Sequence, residues 1–303
     1  MTPSVAVIIP CYNAALSLPA CLRGLASQDY PAEIIVVDDA STDSTRTLLT
    51  WYPEVAVVTH ADNQGPAAAR NTGVAASQSD LLVFLDADCV VRDPAWLSKL
   101  VRAHQEWPGV IGGAVQGMGR GLIARADGYC HWFTNVPHSR PRIVSRSSRP
   151  SRLQLSRHLV TAHLAMTRTT FMQIGPFNPM LRTGEDVEFC ERAIARGMTL
   201  RFAPEIIVHH QDRECIRDFV RCFYRVGRDR VRARHGAANN RLMPRGLGTA
   251  LFMALPIALL MPFQPIGAWW RYDKRAVWYY PLIALAYGAM AFGIVADCAG
   301  RPR

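Results

Sequence analysis

The sequence predicts an α/β fold built on a mostly parallel sheet, followed by a C-terminal hairpin of two apolar helices. Three observations carry this. Short apolar runs alternate with helix-spaced segments from residue 5 to residue 104, which is the pattern of βαβ units. Two of those runs, residues 34–37 and 81–85, end abruptly in acids, as Asp38-Asp39 and Asp86-Ala87-Asp88. Buried parallel strands are continuous apolar runs, and ligands of open α/β sheets sit at their carboxyl ends. Finally, residues 246–270 and 276–296 contain no charged side chain, and each is long enough to cross a hydrocarbon core of about 30 Å.

The elements follow in order. Residues 5–9 form a first strand stopped by Pro10. Ser17 caps a helix with Pro19 in its first turn, and Leu18, Cys21, Leu22 and Leu25 line one face. The strand 34–37 runs into a polar turn at 39–44 and then a helix toward Tyr52. A strand at 55–59, a loop at Asn63-Gln64-Gly65-Pro66 and an alanine-rich helix at 67–76 come next, then the strand 81–85 and a helix over 94–104. After a further apolar run at 110–115 the alternation stops. Residues 116–158 are rich in Gly, Arg, Ser and Pro and read as an irregular excursion, functional or mobile. Order resumes at 159–167, continues as a helix toward Ile174, a helix over 185–195 begun by Gly184, and a strand at 199–203.

A chain of 303 residues holds one large domain with appendages. The division expected is a catalytic domain over 1–212, a basic amphipathic segment over 213–245 and two transmembrane or re-entrant helices over 246–303. The net charge is +10, from 34 Lys+Arg against 24 Asp+Glu, with arginine concentrated between Arg217 and Arg245. Ile216, Phe219, Val220 and Phe223 share one helical face there, which suits an anionic membrane surface. The adjoining apolar spans argue against nucleic acid. Trp269, Trp270, Trp278, Tyr279 and Tyr280 crowd the link between the spans like an interfacial belt. The arginines before the first span place the catalytic part in the cytoplasm, at the inner membrane. Arg271, Lys274 and Arg275 oppose a double crossing, and a shallow hairpin, favoured by Pro256, Pro262 and Pro265, removes that conflict. Two buried helices in a soluble domain are the alternative. The eight cysteines form no CxxC and suit a reducing compartment, and no signal peptide is evident.

The acids carry the chemistry. Carboxylates crowded at a sheet edge repel unless a cation lies between them, so a divalent metal is implied. Asp86 and Asp88, two apart, project to one side of an extended segment and both reach one Mg²⁺ or Mn²⁺. A metal in a basic chain points to a more anionic substrate, a nucleoside diphosphate. Asp38 or Asp39 can accept from a base imide, or simply cap a turn. Neutral imidazole at His209 or His210 can add a metal ligand or touch a phosphate, and the residues do not choose between the two.

The ordered motifs Val7-Ile8-Ile9-Pro10-Cys11-Tyr12-Asn13, Val37-Asp38-Asp39-Ala40-Ser41-Thr42-Asp43, Arg70-Asn71-Thr72-Gly73, Asp86-Ala87-Asp88 and Gly184-Glu185-Asp186 resemble the family 2 glycosyltransferases. These are inverting enzymes with a GT-A (Rossmann-like) fold, and the likeness is to membrane-anchored bacterial types. It spans roughly residues 1–210. The resemblance implies nucleotide contacts at Pro10, Tyr12, Asn13, Asp38, Asp39, Arg70 and Asp86, metal ligation by Asp86, Asp88 and His210, and a general base at Asp186 beside Glu185. It implies a UDP- or GDP-linked sugar donor and a lipid-linked or glycan acceptor at the membrane. The processive members carry a Gln-x-x-Arg-Trp motif that is missing here, which argues for single-sugar transfer. The alternatives are a processive polysaccharide synthase and a catalytically silent nucleotide-sugar-binding scaffold.

Overall fold

The computed structural model describes residues 2–137, 139–146, 148, 158–235, 244 and 246–300. Parts of the expected excursion (116–158) and basic segment (213–245) lie outside the described residues. The chain runs β1 (Val5–Cys11), α1 (Leu18–Ala26), β2 (Glu33–Asp38), α2 (Thr45–Leu49), β3 (Ala56–Thr59), α3 (Pro66–Ala76), β4 (Leu81–Leu85), β5 (Cys89–Val90), α4 (Trp96–Glu106), β6 (Val110–Gly117) and α5 (Leu122–His131). It continues through β7 (Arg142–Val144), β8 (His163–Thr167), α6 (Arg168–Ile174), α7 (Glu185–Ala195), β9 (Leu200–His210), α8 (Ile216–His235), α9 (Leu247–Leu260), α10 (Phe263–Trp269) and α11 (Tyr280–Ala299).

One nine-stranded sheet has the order β3-β2-β1-β4-β8-β6-β9-β5, with β7 paired to β9. The β3-β2-β1-β4 half is parallel. The second half is mixed: β8 runs antiparallel to β4 and β6, while β6 and β9 are parallel. The carboxyl ends of β1, β2 and β4 therefore open at one edge, where their polar residues collect. Alternation divides the apolar side chains between the faces. Val7 and Ile9 join Leu22, Leu25 and Leu100 of α1 and α4, while Ala6 and Ile8 join Val74, Phe171 and Phe189 of α3, α6 and α7. Both faces are dry, which is why these strands read as continuous apolar runs. On the second face Phe177 meets Phe84 edge-on at 5.2 Å and Phe189 at 4.4 Å.

Three departures from the sequence reading have a common cause. Residues 116–158 include helix α5, whose Ala126, Tyr129 and Cys130 are buried against α8 and α11; its helical pattern is weak because distant partners supply the packing. The runs at 199–203 and 206–208 form one strand, β9, with a bulge against Gly113/Ala114 of β6. The apolar face of α8, expected on a membrane, is instead covered by α11: Phe219 and Phe223 are buried among Ile283, Tyr287 and Met290. This third core is separate from the sheet.

The α8–α11 contact is close because glycines meet backbone. A Cβ on Gly227 would strike the Met290 carbonyl, and one on Gly293 the Tyr224 carbonyl. Small residues at a crossing let two helices pack at backbone distance. The two apolar segments differ in use: over Leu247–Trp269 11% of the apolar window is buried, and over Lys274–Ala299 50%. The first is broken between α9 and α10 at Met261–Pro262 and carries Pro256 inside α9. Phe252, Leu255, Leu259 and Phe263 are exposed along it, a continuous apolar surface that water does not favour.

Gly227→Val is expected to lower stability by about 1–3 kcal/mol, because the obstructing atom is backbone and cannot move aside. Thermal unfolding in detergent measures it, with Gly248→Val, which stands in open space, as the control.

Candidate active site

The edge formed by β1, β2 and β4 is the floor of a cleft of about 1020 Å³, walled by the start of α7, the end of α5 and the middle of α8. Pro10, Tyr12, Asn13, Asp39, Arg70, Asp86, Asp88, Glu185 and Asp186 all line it. Residues from five separated stretches thus meet at one cleft.

The individual side chains are less uniform. Asp38 is fully buried, accepts from Ser41 N–H at 3.0 Å and pairs with Arg46 Nε at 2.7 Å. It holds the turn after β2, and of the expected pair Asp39, not Asp38, is among the residues that line the cleft. Asp39 lies at the cleft and accepts from Gln64 and Gly65 N–H at 2.8 and 2.7 Å, with His60 Nδ1 at 2.7 Å. A carboxylate has about four acceptor positions, so Asp39 both shapes the 63–65 loop and keeps capacity for a ligand donor. Gly65 stands at φ 94° there, a conformation glycine adopts without strain. Asn13, itself at φ 51°, accepts from Thr42 N–H at 2.8 Å. Tyr12 is 49% exposed over the cleft mouth, a free ring face for a planar base.

Arg70 is 2% exposed and spends two of its nitrogens on protein carboxylates. Its Nη2 donates to Asp86 at 2.6 Å and its Nη1 to Glu185 at 2.7 Å. The guanidinium fork therefore ties the end of β4 to the start of α7. Arg70, expected at the phosphates, and Glu185, expected beside the base, are thus paired with each other. That carboxylate is buried and occupied by Arg70, with Thr161 Oγ1 at 3.4 Å.

Asp186 is differently placed. It accepts from its neighbour Val187 N–H at 2.7 Å and has His158 Nε2 at 3.9 Å. Burial raises its pKa to about 6, against the opposing pull of the Val187 amide and Arg70. A carboxylate with that affinity for a proton, open to the cleft, is suited to general-base work near neutral pH.

His210 resolves the choice between the two histidines. Its ring lies at the cleft floor with Nε2 3.2 Å from Asp88 and Nδ1 3.4 Å from Asp212. His209, opposite Val90 in the ladder, does not line the cleft. Burial depresses the His210 pKa, but Asp88 and Asp212 outweigh it and lift it to about 10. His210 thus lies against Asp88, with its Nε2 beside the carboxylate with which it is expected to share a metal. Asp212 escaped the sequence reading. It also accepts from Trp132 Nε1 and Gly119 N–H, each at 3.3 Å. Its two-residue spacing from His210 was the available signal, since that spacing puts both side chains on one side of an extended chain.

Among the described residues no three His, Cys, Asp or Glu side chains enclose a metal ion. The donors available are two partly exposed carboxylates, Asp86 at 30% and Asp88 at 42%. This set fits a hard cation whose remaining positions are filled by substrate oxygens and water, as Mg²⁺ and Mn²⁺ accept.

Residues 6–173 match the model of the family described as glycosyl transferase family 2. The chain is 30% identical to the glycosyltransferase AglE of Haloferax volcanii over 238 residues, 76% of this chain and 73% of that protein. It is 30% identical over 230 residues to the pre-mycofactocin glycosyltransferase of Mycobacterium tuberculosis, covering 73% of this chain but only 46% of that protein. In fold it is similar to the mannosyltransferase PcManGT from Pyrobaculum calidifontis, solved with GDP-Man and Mn²⁺, at a TM-score of 0.63 and 18% identity over 98% of this chain and 87% of that one. S. aureus TarS in complex with UDP-GlcNAc aligns at 0.57 and 19% identity, over 97% and 90%.

Two outcomes follow from this geometry. Arg70→Met strands the buried Glu185 carboxylate and is expected to cost about 3–5 kcal/mol, with Arg70→Met/Glu185→Met recovering part of it in denaturant unfolding. With Asp186 as the base, kcat/KM falls as pH drops through about 6, because only the carboxylate accepts a proton; a pH–rate profile measures this.

Proposed function

The chain belongs to glycosyl transferase family 2 and is a glycosyltransferase, and from that premise we propose that it moves one sugar, with inversion, from a nucleoside-diphosphate donor to a lipid-linked or other membrane-proximal hydroxyl. The observation that carries this reading is the meeting of Asp86, Asp88 and Asp186 on one cleft, with Arg70 fixing the distance between the first and the last.

In this reading the donor's base lies against Tyr12 and Pro10, with Asp39 accepting from it, and its diphosphate lies over Asp86 and Asp88. A divalent cation held by those two carboxylates would neutralise charge on the departing nucleoside diphosphate. Asp186 takes the proton of the acceptor hydroxyl as that oxygen attacks the anomeric carbon from the face opposite the diphosphate. The bond to the leaving oxygen breaks, and the new glycosidic bond has the inverted configuration. Asp212 and His210 keep Asp88 aimed at the diphosphate throughout.

The acceptor side lies where the cleft leads away from the donor end. It passes Asp186 and reaches Arg225, Arg228, Met261, Tyr287 and Met290, where the arginines of α8 meet the apolar helices. An acceptor with an anionic group and a lipid tail matches both chemistries. The exposed apolar surface of α9 supports attachment to a membrane, and the arginines before it support a cytoplasmic orientation at the inner membrane.

Detergent-purified protein assayed against UDP- and GDP-sugars, with and without Mn²⁺, tests the reading; release of nucleoside diphosphate from none of them sinks it. Asp88→Asn is expected to weaken Mn²⁺-dependent donor binding by calorimetry about tenfold or more. Asp186→Asn is expected to keep donor affinity while transfer falls at least about 100-fold.

A further inference from the structure

Away from the donor end, α5 and α8 bring together a second constellation of titratable side chains. Asp127 is 1% exposed and accepts from Arg213 Nη1 at 3.1 Å. Its other oxygen lies 3.1 Å from His131 Nδ1. On the far side of the ring, His131 Nε2 faces Cys222 Sγ at 3.7 Å. The order Asp–His–Cys, each within reach of the next, is the arrangement that activates a nucleophile: the carboxylate fixes the ring and the ring takes the thiol proton.

The charges facing Cys222 agree. Burial would raise its pKa, but the hydrogen bond and charge of His131, with Arg213, bring it below the ordinary thiol value against an opposing push from Asp127. His131 is driven the other way; burial opposes its charge, yet Asp127 and Cys222 raise it to about 10. The buried thiols of Cys11, Cys21, Cys89, Cys130 and Cys190 are all raised, chiefly by burial. Cys222 is only partly buried, so it combines a thiolate partner with access.

The cluster also adjoins the working cleft. His131 lines it and packs at a tilt against Phe223, which lines it too, with ring centroids 4.6 Å apart. The next residue, Trp132, donates to Asp212, which holds His210 against Asp88. His131 Nε2 is 3.7 Å from the Cys222 sulfur, so a group added there bears directly on a residue of the cleft wall.

We propose that Cys222 is a nucleophilic thiol at which hydroperoxides modify this enzyme and close the acceptor side of its cleft. The second half rests on the sugar-transfer reading; the reactivity of the thiol does not. The Cys222 thiolate attacks one peroxide oxygen, so that an S–O bond forms as the O–O bond breaks. Sulfur is oxidised to the sulfenic acid and the hydroperoxide is reduced. The departing hydroxide or alkoxide takes the proton on His131 Nε2, leaving water or an alcohol and a neutral imidazole.

The full chain in detergent is treated with iodoacetamide at about pH 6, and alkylation of Cys222 and of the exposed Cys215 is followed by peptide mass spectrometry. Cys222 is expected to react about tenfold faster than Cys215, and His131→Gln to remove that advantage. Hydrogen peroxide is expected to give a dimedone-trappable sulfenic acid at Cys222. Sugar transfer is then lost while donor binding by calorimetry persists, and Cys222→Ser resists the loss. Equal alkylation of Cys222 and Cys215 in the unmodified sequence overturns the activated thiol, whether or not transfer is detected. Inactivation of Cys222→Ser at the original rate overturns the effect on the cleft.

Discussion

A single buried guanidinium determines the shape of this site. Arg70 joins Asp86, at the end of a parallel strand, to Glu185, at the start of a helix more than a hundred residues later. Taking Arg70 and Glu185 out of water is costly, and removing one leaves the other to bear that cost. Such a triad is tolerated because it is specific: only one placement of α7 against β4 satisfies it. That placement leaves Asp186, the neighbour of Glu185, free to face the cleft. One acid of the Glu-Asp pair supplies position and the other is available for chemistry.

A second polar chain repeats the logic on the floor. Asp88 is held by His210, His210 by Asp212, and Asp212 by Trp132 and a backbone amide. Both networks place fixed donors behind a carboxylate that faces open space, so its orientation does not depend on the ligand. The sheet supplies the rigidity. Its two dry faces lock β1, β2 and β4 in register, and the acids sit where the strands end and side chains can leave the core.

The third core has a different purpose. Helix α8 turns its apolar face to α11 and leaves Arg217, Arg221, Arg225 and Arg228 exposed, and backbone-distance packing at Gly227 and Gly293 binds the pair. The cleft runs from a charged floor to this apolar wall without interruption. The apolar helices are thus part of the site's architecture, since Met261, Tyr287 and Met290 line the same cleft as Asp186.

The sequence by itself determined the α/β class, the strands from β1 to β4, the edge at which acids collect and the two apolar segments. These are local signals: an apolar run that stops at an acid, a helical period, an absence of charge over a span. It also named Asp86, Asp88 and Asp186, because their neighbours in the chain mark them. What each polar group spends its hydrogen bonds on was decided only by the tertiary structure. Asp38 turned inward to Arg46, Arg70 bridged two carboxylates, His210 became a support for Asp88, and α8 found a helix to cover it. Each of those outcomes pairs residues far apart in sequence, and a buried charge takes whichever partner the fold brings within reach, which no spacing along the chain records.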